Sequence, residues 1–266
     1  MALSKERTKL IERLRHPRFR PREGSFLVEG VRGAGEMIAG TQAERVRFAL
    51  HSPRVEASAA GQEVMGLIAR SGIPAEEVSD QELAALSDTE QSQGVLLVVE
   101  EPKTEFLDLG AFPDPRLLLL DGIQDPGNAG TLIRSAWAFG MTGVVAMEGT
   151  VDLFNAKVVR AASGALGHIP VTRASWGEVE SWSRREGVPL LVADSSGEDV
   201  RAVGPLTSWS LVIGNEGAGP RPEVTQAADK VVAIPMNPGV DSLNAGLAGA
   251  ILLFALNPST AEGTGI

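Results

Sequence analysis

The chain has 266 residues, 43% of them hydrophobic and 22% charged, enough for one large or two ordinary globular domains. It has no cysteine and only three widely separated histidines, His16, His51 and His168, which excludes disulfides, thiolate nucleophiles and zinc–sulfur sites and makes any metal site unexpected. Net charge is −10, yet residues 1–32 hold nine Lys/Arg against four Asp/Glu, so a +5 arm precedes a −15 body.

That asymmetry suits a phosphate-rich partner held at one end. A solvated amphipathic helix accounts for the same charges with no partner, and a GC-rich genome accounts for nineteen arginines against five lysines. No apolar run reaches the ~20 residues that span a bilayer, and the first twenty residues lack the apolar core of a secretory signal. A cytoplasmic protein without membrane contact is expected.

Leu3, Leu10, Ile11 and Leu14 among charges predict an amphipathic helix that ends before Pro17. RHPRFRPREG (15–24) reads as a rigid basic connector. Strands are predicted at 26–30, 46–50, 76–79 and 94–99, with helices near 31–40, 57–71 and 80–87. EEPKTEFLDLGAFPDPR (100–116), with three prolines, breaks the alternation and reads as a connection, the linker proper at 106–115. Beyond it, strands are predicted near 117–121, 143–147, 189–193, 209–213 and 230–234. Helices are predicted near 129–139, 153–164, 175–186 and 245–256. Unbroken apolar strands alternating with helices predict a parallel sheet covered on both faces. The tail NPSTAEGTGI reads as frayed.

Three segments share one grammar: apolar strand, polar Gly/Pro/Asn loop, helix. In the first, LLLLDGIQDPGNAGTLIRSAWAFG (117–140), Asp121 marks the strand end and Asn128 reads as the helix N-cap. Arg134 stands on an otherwise apolar helix. Six residues separate it from Asn128, about 240° at ~100° per residue, so the two side chains do not easily point into one pocket of the same chain. That fits a site shared between two chains. The second segment, IGNEGAG (213–219), holds one carboxylate, Glu216, in a glycine-rich turn. The third, IPMNPGVDSLNAGLAGAILLFAL (234–256), ends in a helix apolar almost all round, which predicts burial, with Ser242 and Asn244 as its caps.

Two look-alikes fail. GVRGAGEMIAG (30–40) lacks the G-x-G-x-x-G spacing of a dinucleotide fingerprint, and GNEGAG lacks the lysine and Ser/Thr of a P-loop. Instead DPGNAGTLIRSAWAFG, VIGNEGAGP and IPMNPGVDSLNAGLAGA resemble the three signature motifs of the TrmH/SpoU family, of the SPOUT class of RNA methyltransferases. VVRAASGALGHIPV (158–171) resembles a connecting block of these enzymes. FLVEGVRGAGEMI and SDTEQSQGVLLVV resemble an L30e-type RNA-binding domain. Ala245-Gly246 after SLN and the absence of tyrosine are mild departures.

The resemblance implies an α/β fold: a C-terminal SPOUT domain (116–266) with a parallel sheet and trefoil knot, an L30e-like domain (25–105), and a basic arm (1–24). It implies S-adenosylmethionine held by Ile213, Gly214, Glu216, Gly217, Ile234, Met236, Ser242, Leu243 and Asn244. It further implies a homodimer through the C-terminal domain and methyl transfer to an RNA ribose 2′-hydroxyl. Arg134 would be central to catalysis, with Asn128, Glu216, Ser242 and Asn244 in support and no metal. Phosphate contacts are expected from Arg13, Arg15, Arg18, Arg20, Arg22 and Arg32. 23S rRNA is the first candidate substrate. Transfer RNA, an antibiotic-resistance role, a non-catalytic assembly factor and, less fittingly, a nucleotide-dependent oxidoreductase are the alternatives.

Overall fold

The computed structural model describes residues 4–40, 43–88, 93–204, 206–240 and 242–257. The tail from residue 258, the first three residues of the predicted opening helix, and residues 89–92 lie outside the described residues. By packing the chain divides into two units, Met1–Lys103 with Phe154–His168, and Thr104–Leu153 with Ile169–Ile266.

In the N-terminal unit α1 (Lys5–Arg15) is capped by Ser4, whose hydroxyl accepts from the Arg7 amide, and it buries Ile11 and Leu14. A single turn, α2 (Arg20–Glu23), sits inside the expected connector. Then follow β1 (Ser25–Glu29), α3 (Val31–Ala39), β2 (Val46–His51), α4 (Ala59–Arg70), β3 (Ala75–Glu77), α5 (Asp80–Leu86) and β4 (Val95–Glu100). The sheet order is β1-β4-β2-β3, antiparallel except for β2–β3. Ile11, Leu14, Leu27, Phe48, Leu83 and Leu96 pack into one core cluster.

The expected linker at 106–115 opens instead with a helix, α6 (Phe106–Gly110), belonging to the C-terminal core. Phe106 and Leu109 are three apart, hence on one face, and both are buried. Phe106 meets Trp182 edge-on at 5.4 Å, and Gly110 lies so close to that indole that a side chain would collide. The prolines flanking this turn mimic a linker. β5 (Arg116–Asp121), α7 (Pro126–Ala138) and β6 (Gly143–Ala146) come next. The segment Phe154–His168, containing α8 (Ala156–Ala162), falls within the span expected for the C-terminal domain but packs with the N-terminal unit. Phe154 stacks at 4.9 Å on Phe26, and His168 Nε2 lies 3.0 Å from Glu36 Oε2.

β7 (Val171–Arg173), α9 (Trp176–Glu186), β8 (Leu190–Asp199), β9 (Trp209–Gly214), α10 (Pro222–Gln226), β10 (Lys230–Ala233) and α11 (Ala245–Leu256) complete the fold. β7 and α10, three and five residues long, are too short for periodicity to announce. Every pairing in the sheet β10-β8-β9-β5-β6-β7 is parallel, as the apolar runs predict.

Two details of register build the site. β5 and β9 end together, Asp121 opposite Gly214, so the loops leaving them run side by side. Against β10, the partners in β8 jump from Val192 to Glu198, so Ala193–Gly197 bulges out at the strand ends. The burial expected of α11 is only half met. Leu252 and Leu253 are buried against the unit, whereas Leu247 is 51% and Phe254 53% exposed. Phe139 meets this face, edge-on to Phe254 at 5.8 Å, and both Leu247 and Phe254 stay half-exposed.

Candidate active site

Ligand clefts in open parallel sheets form beyond the carboxyl ends of the strands, and the C-terminal unit has one there, of about 360 Å³. It is walled by the β8 bulge (Ala193, Asp194, Ser195), the β9 loop (Ile213 to Pro220), the end of β10 with the loop after it, and the head of α11. Of the residues expected to hold a cofactor, Ile213, Gly214, Glu216, Gly217, Ile234, Met236, Ser242 and Leu243 all line it. Asn244 does not line it. Its side chain caps α11 by accepting from the Leu247 amide at 3.1 Å. Ser242, expected as a second cap, faces the cleft instead.

The three motif loops are joined by a chain of side-chain hydrogen bonds. Asn244 Nδ2 donates to Asn128 Oδ1 at 2.7 Å, and Asn128 Nδ2 donates to Glu216 Oε1 at 2.9 Å. Glu216 also accepts the amides of Asp125 on Oε1 and Gln124 on Oε2, at 3.0 and 3.2 Å. Asn128 is not the cap of α7: Asp125 is, accepting the Asn128 amide at 2.8 Å, with Pro126 as the first helical residue. Displaced into the first turn and buried, the Asn128 amide is free to bridge the other two loops.

Burial pushes the Glu216 carboxyl up, but hydrogen bonds from Asn128 and the Gln124 and Asp125 amides outweigh it and hold the group below the ordinary carboxylate range. A depressed pKa means stability that is complete above the ordinary value of ~4.3 and lost as pH falls through the lower, folded one. Glu216→Gln should therefore melt earlier than the unsubstituted chain at pH 7, with the gap narrowing as the pH is lowered below the ordinary carboxylate range. A gap that widens on acidification would contradict this.

Arg134 is brought to none of these groups. It is exposed on α7, its side chain makes no hydrogen bond or ion pair among the described residues, and it does not line the cleft. The ~240° between it and Asn128 is realised as one buried and one exposed side chain. Asp194 was not foreseen. The Ser196 hydroxyl and amide both donate to its Oδ1, at 2.6 and 2.8 Å, and hold its carboxyl low, which keeps an anion in the cleft wall. The run ADSSG at a strand end was the available signal for that turn.

The arm arginines divide. Arg20 is buried and paired with Glu101. Arg13 pairs with Glu23, and Arg15 with Asp88 and the Ala85 carbonyl. Arg18, Arg22 and Arg32 are exposed and without an ion pair among the described residues. The acids that neutralise Arg15 and Arg20 lie 73 and 81 residues away, invisible to a local charge count.

Two family descriptions match the chain: SpoU rRNA Methylase family over residues 115–254, and MRM3-like substrate binding domain over residues 5–97. The chain is 34% identical over 187 residues to the Bacillus subtilis (strain 168) protein named 23S rRNA (guanosine(2553)-2'-O)-methyltransferase RlmP, covering 70% of this chain and 73% of that one. It is 33% identical over 192 residues to the Bordetella pertussis 23S rRNA (guanosine-2'-O-)-methyltransferase RlmB, covering 70% and 78%. Among solved structures it is similar to the SpoU methyltransferase AviRb from Streptomyces viridochromogenes in complex with the cofactor AdoMet. The TM-score is 0.82 at 28% identity, over 98% of this chain and 100% of that one. An AdoMet-bound rRNA methyltransferase from Sinorhizobium meliloti gives 0.82 at 27% identity, over 96% and 95%.

Proposed function

Because the chain belongs to the SpoU rRNA methylase family, we propose that it methylates a ribose 2′-hydroxyl of 23S rRNA, with S-adenosylmethionine as methyl donor. The observation that carries this reading is the cleft together with the Asn244–Asn128–Glu216 chain that ties its loops into one frame. The lining suits that donor. Ile213, Ile234, Leu243 and Leu252 offer apolar surface to a base, and the cleft has a size ordinary for a small-molecule site. None of its described lining residues is Lys, Arg or His, while Asp194 and Glu216 are anionic. Such a wall favours a cation and repels the pyrophosphate of a dinucleotide. Calorimetry should show S-adenosylmethionine binding and NAD not binding; the opposite order would overturn the reading.

The donor supplies an electrophilic methyl on its sulfonium. The protein's share is alignment and charge. A ribose hydroxyl is a weak nucleophile, and negative charge grows on its oxygen as the proton departs. Glu216 accepts hydrogen bonds on both oxygens and sits low, so it holds loops in place and is not the base. Asn128 and Asn244 serve the same frame, and Ser242 lines the cleft. Arg134 is the catalytic cation. A guanidinium stays protonated in proteins, so it acts by stabilising the developing alkoxide and an adjoining phosphate.

Arg134 reaches a cleft by facing the partner's. The protein is a homodimer through the C-terminal unit, joined by the exposed face of α7 and α11 that carries Leu247 and Phe254. The C-terminal chain is threaded as the trefoil knot of its class. No helix among the described residues is long and apolar enough to cross a membrane, and the protein works in the cytoplasm.

RNA is captured by the N-terminal unit, where Arg18, Arg22 and Arg32 are exposed and make no ion pair among the described residues, and where a cavity of about 270 Å³ is lined by Gly30, Gln93 and the exposed Arg160. Replacing Arg18, Arg22 and Arg32 by alanine should make the salt dependence of RNA affinity shallower by about two in log–log slope, at ~0.7 per single-strand phosphate contact. Arg20→Ala should lower the melting temperature and leave that slope unchanged. An unaltered slope in the triple variant would place RNA elsewhere.

A further inference from the structure

The Asn215–Pro220 loop is fastened to one neighbouring stretch, Asp121–Asn128, at three levels. At its start Asn215 Nδ2 donates to the Gly122 carbonyl at 2.8 Å. In its middle Glu216 takes the amides of Gln124 and Asp125 and the side chain of Asn128. At its far end the Arg221 amide donates to Asp121 Oδ2 at 2.9 Å, and Arg221 Nε donates to Asp121 Oδ1 at 2.6 Å. The loop doubles back sharply: Asn215 and Gly219 exchange both backbone hydrogen bonds, and a Cβ on Gly214 would fall 2.1 Å from the Pro220 nitrogen. Its Gly217 and Ala218 amides are turned onto Asn215 Oδ1, at 3.0 Å each.

Of the three fastenings, only the last joins opposite full charges. The Asp121 side chain is 1% exposed, on the final residue of β5, and the Arg221 side chain is 32% exposed, with a further 3.3 Å contact to Glu148. A carboxylate so buried must be paired, because an unpaired buried charge is strongly disfavoured. Arg221 itself does not line the cleft; Gly219 and Pro220 before it do.

We propose that Arg221 is a positioning residue for the cofactor: its two-point hold on Asp121 fixes the far end of the Asn215–Pro220 loop and thereby the wall against which the methyl donor binds. This deepens the cofactor reading above and rests on it. The two parts separate in the experiment. Amide hydrogen exchange of the ligand-free chain reports whether Arg221 holds the loop. Calorimetry with S-adenosylhomocysteine reports whether the held loop is what binds.

In Arg221→Ala the amides of Gly217 to Gly219 should exchange at least tenfold faster. S-adenosylhomocysteine should bind at least tenfold more weakly, KM for the donor should rise, and kcat should change less than threefold. Arg221→Lys, which keeps the charge and loses the fork, should fall between. If Arg221→Ala does not fold, Asp121→Asn/Arg221→Met removes both charges and is measured in its place; weakened binding there supports the proposal. Exchange and affinity within twofold of the unsubstituted chain, in whichever variant folds, overturn it. An unsubstituted chain that protects the loop but ignores S-adenosylhomocysteine overturns the cofactor reading, and with it the binding half of this proposal. Faster exchange in Arg221→Ala would then support the loop lock alone.

Discussion

Arg134→Ala should abolish turnover while leaving the fold and the cofactor cleft intact. Removing one preorganised donor from a developing oxyanion costs about 10²–10³ in rate, and a full charge places the expected loss at the upper end or beyond. The substitution should be benign structurally, because the Arg134 side chain is exposed and makes no hydrogen bond or ion pair among the described residues. Its melting temperature and S-adenosylhomocysteine affinity should match the unsubstituted chain. An Arg134→Ala protein that still methylates at the original rate would remove the guanidinium from the mechanism.

The second large effect concerns the uncovered face of α11. Leu247→Glu/Phe254→Glu should convert a dimer into monomers, read by light scattering, and reduce methyl transfer at least a hundredfold. Two half-exposed large apolar side chains on one helix face are a cost to a lone chain and an asset to a paired one. Ala245, Ala248 and Leu252, the α11 residues that line the cleft, are untouched, so cofactor affinity should fall much less than turnover. Mixing Arg134→Ala protein with Asn128→Ala protein extends the test. If the arginine serves the partner's cleft, mixed dimers contain one intact site and regain activity that neither parent has. A fully active monomer, or mixtures as dead as their parents, would place the whole site within one chain.

Much of this was legible in the sequence because strand-end loops announce themselves. The glycines, prolines and asparagines of the three motif loops mark where the chain leaves the sheet, and the apolar runs before them fix a parallel core. The capping error had a readable cure: in DPGN the proline belongs to the first helical position, which makes Asp125 the cap and frees Asn128 to bridge. α11 shows the reverse case. Its all-round apolar pattern stated that every face is covered, but a sequence does not say whether the cover comes from the same chain.

Other features had no local signal. Arg221 and Asp121 stand 100 residues apart, and nothing near either announces the other. The bulge that delivers Asp194 depends on the register between β8 and β10, a property of two strands. The arm shows what a charge count leaves out: nine basic residues in 32 suit a phosphate-rich partner or a solvated helix equally, and Arg13, Arg15 and Arg20 are partnered within the chain. Ion pairs at the surface contribute little to stability, so the exposed Arg13 side chain can still exchange its partner, whereas the buried Arg20 is held in place.

Incubation of the full-length protein with labelled S-adenosylmethionine and either ribosomal or transfer RNA, followed by nucleoside analysis, tests the central claim most directly. The account predicts label in 23S rRNA as a 2′-O-methylated nucleoside at one position, lost with Arg134→Ala. Label on a base, label confined to transfer RNA, or no transfer to any RNA would contradict it.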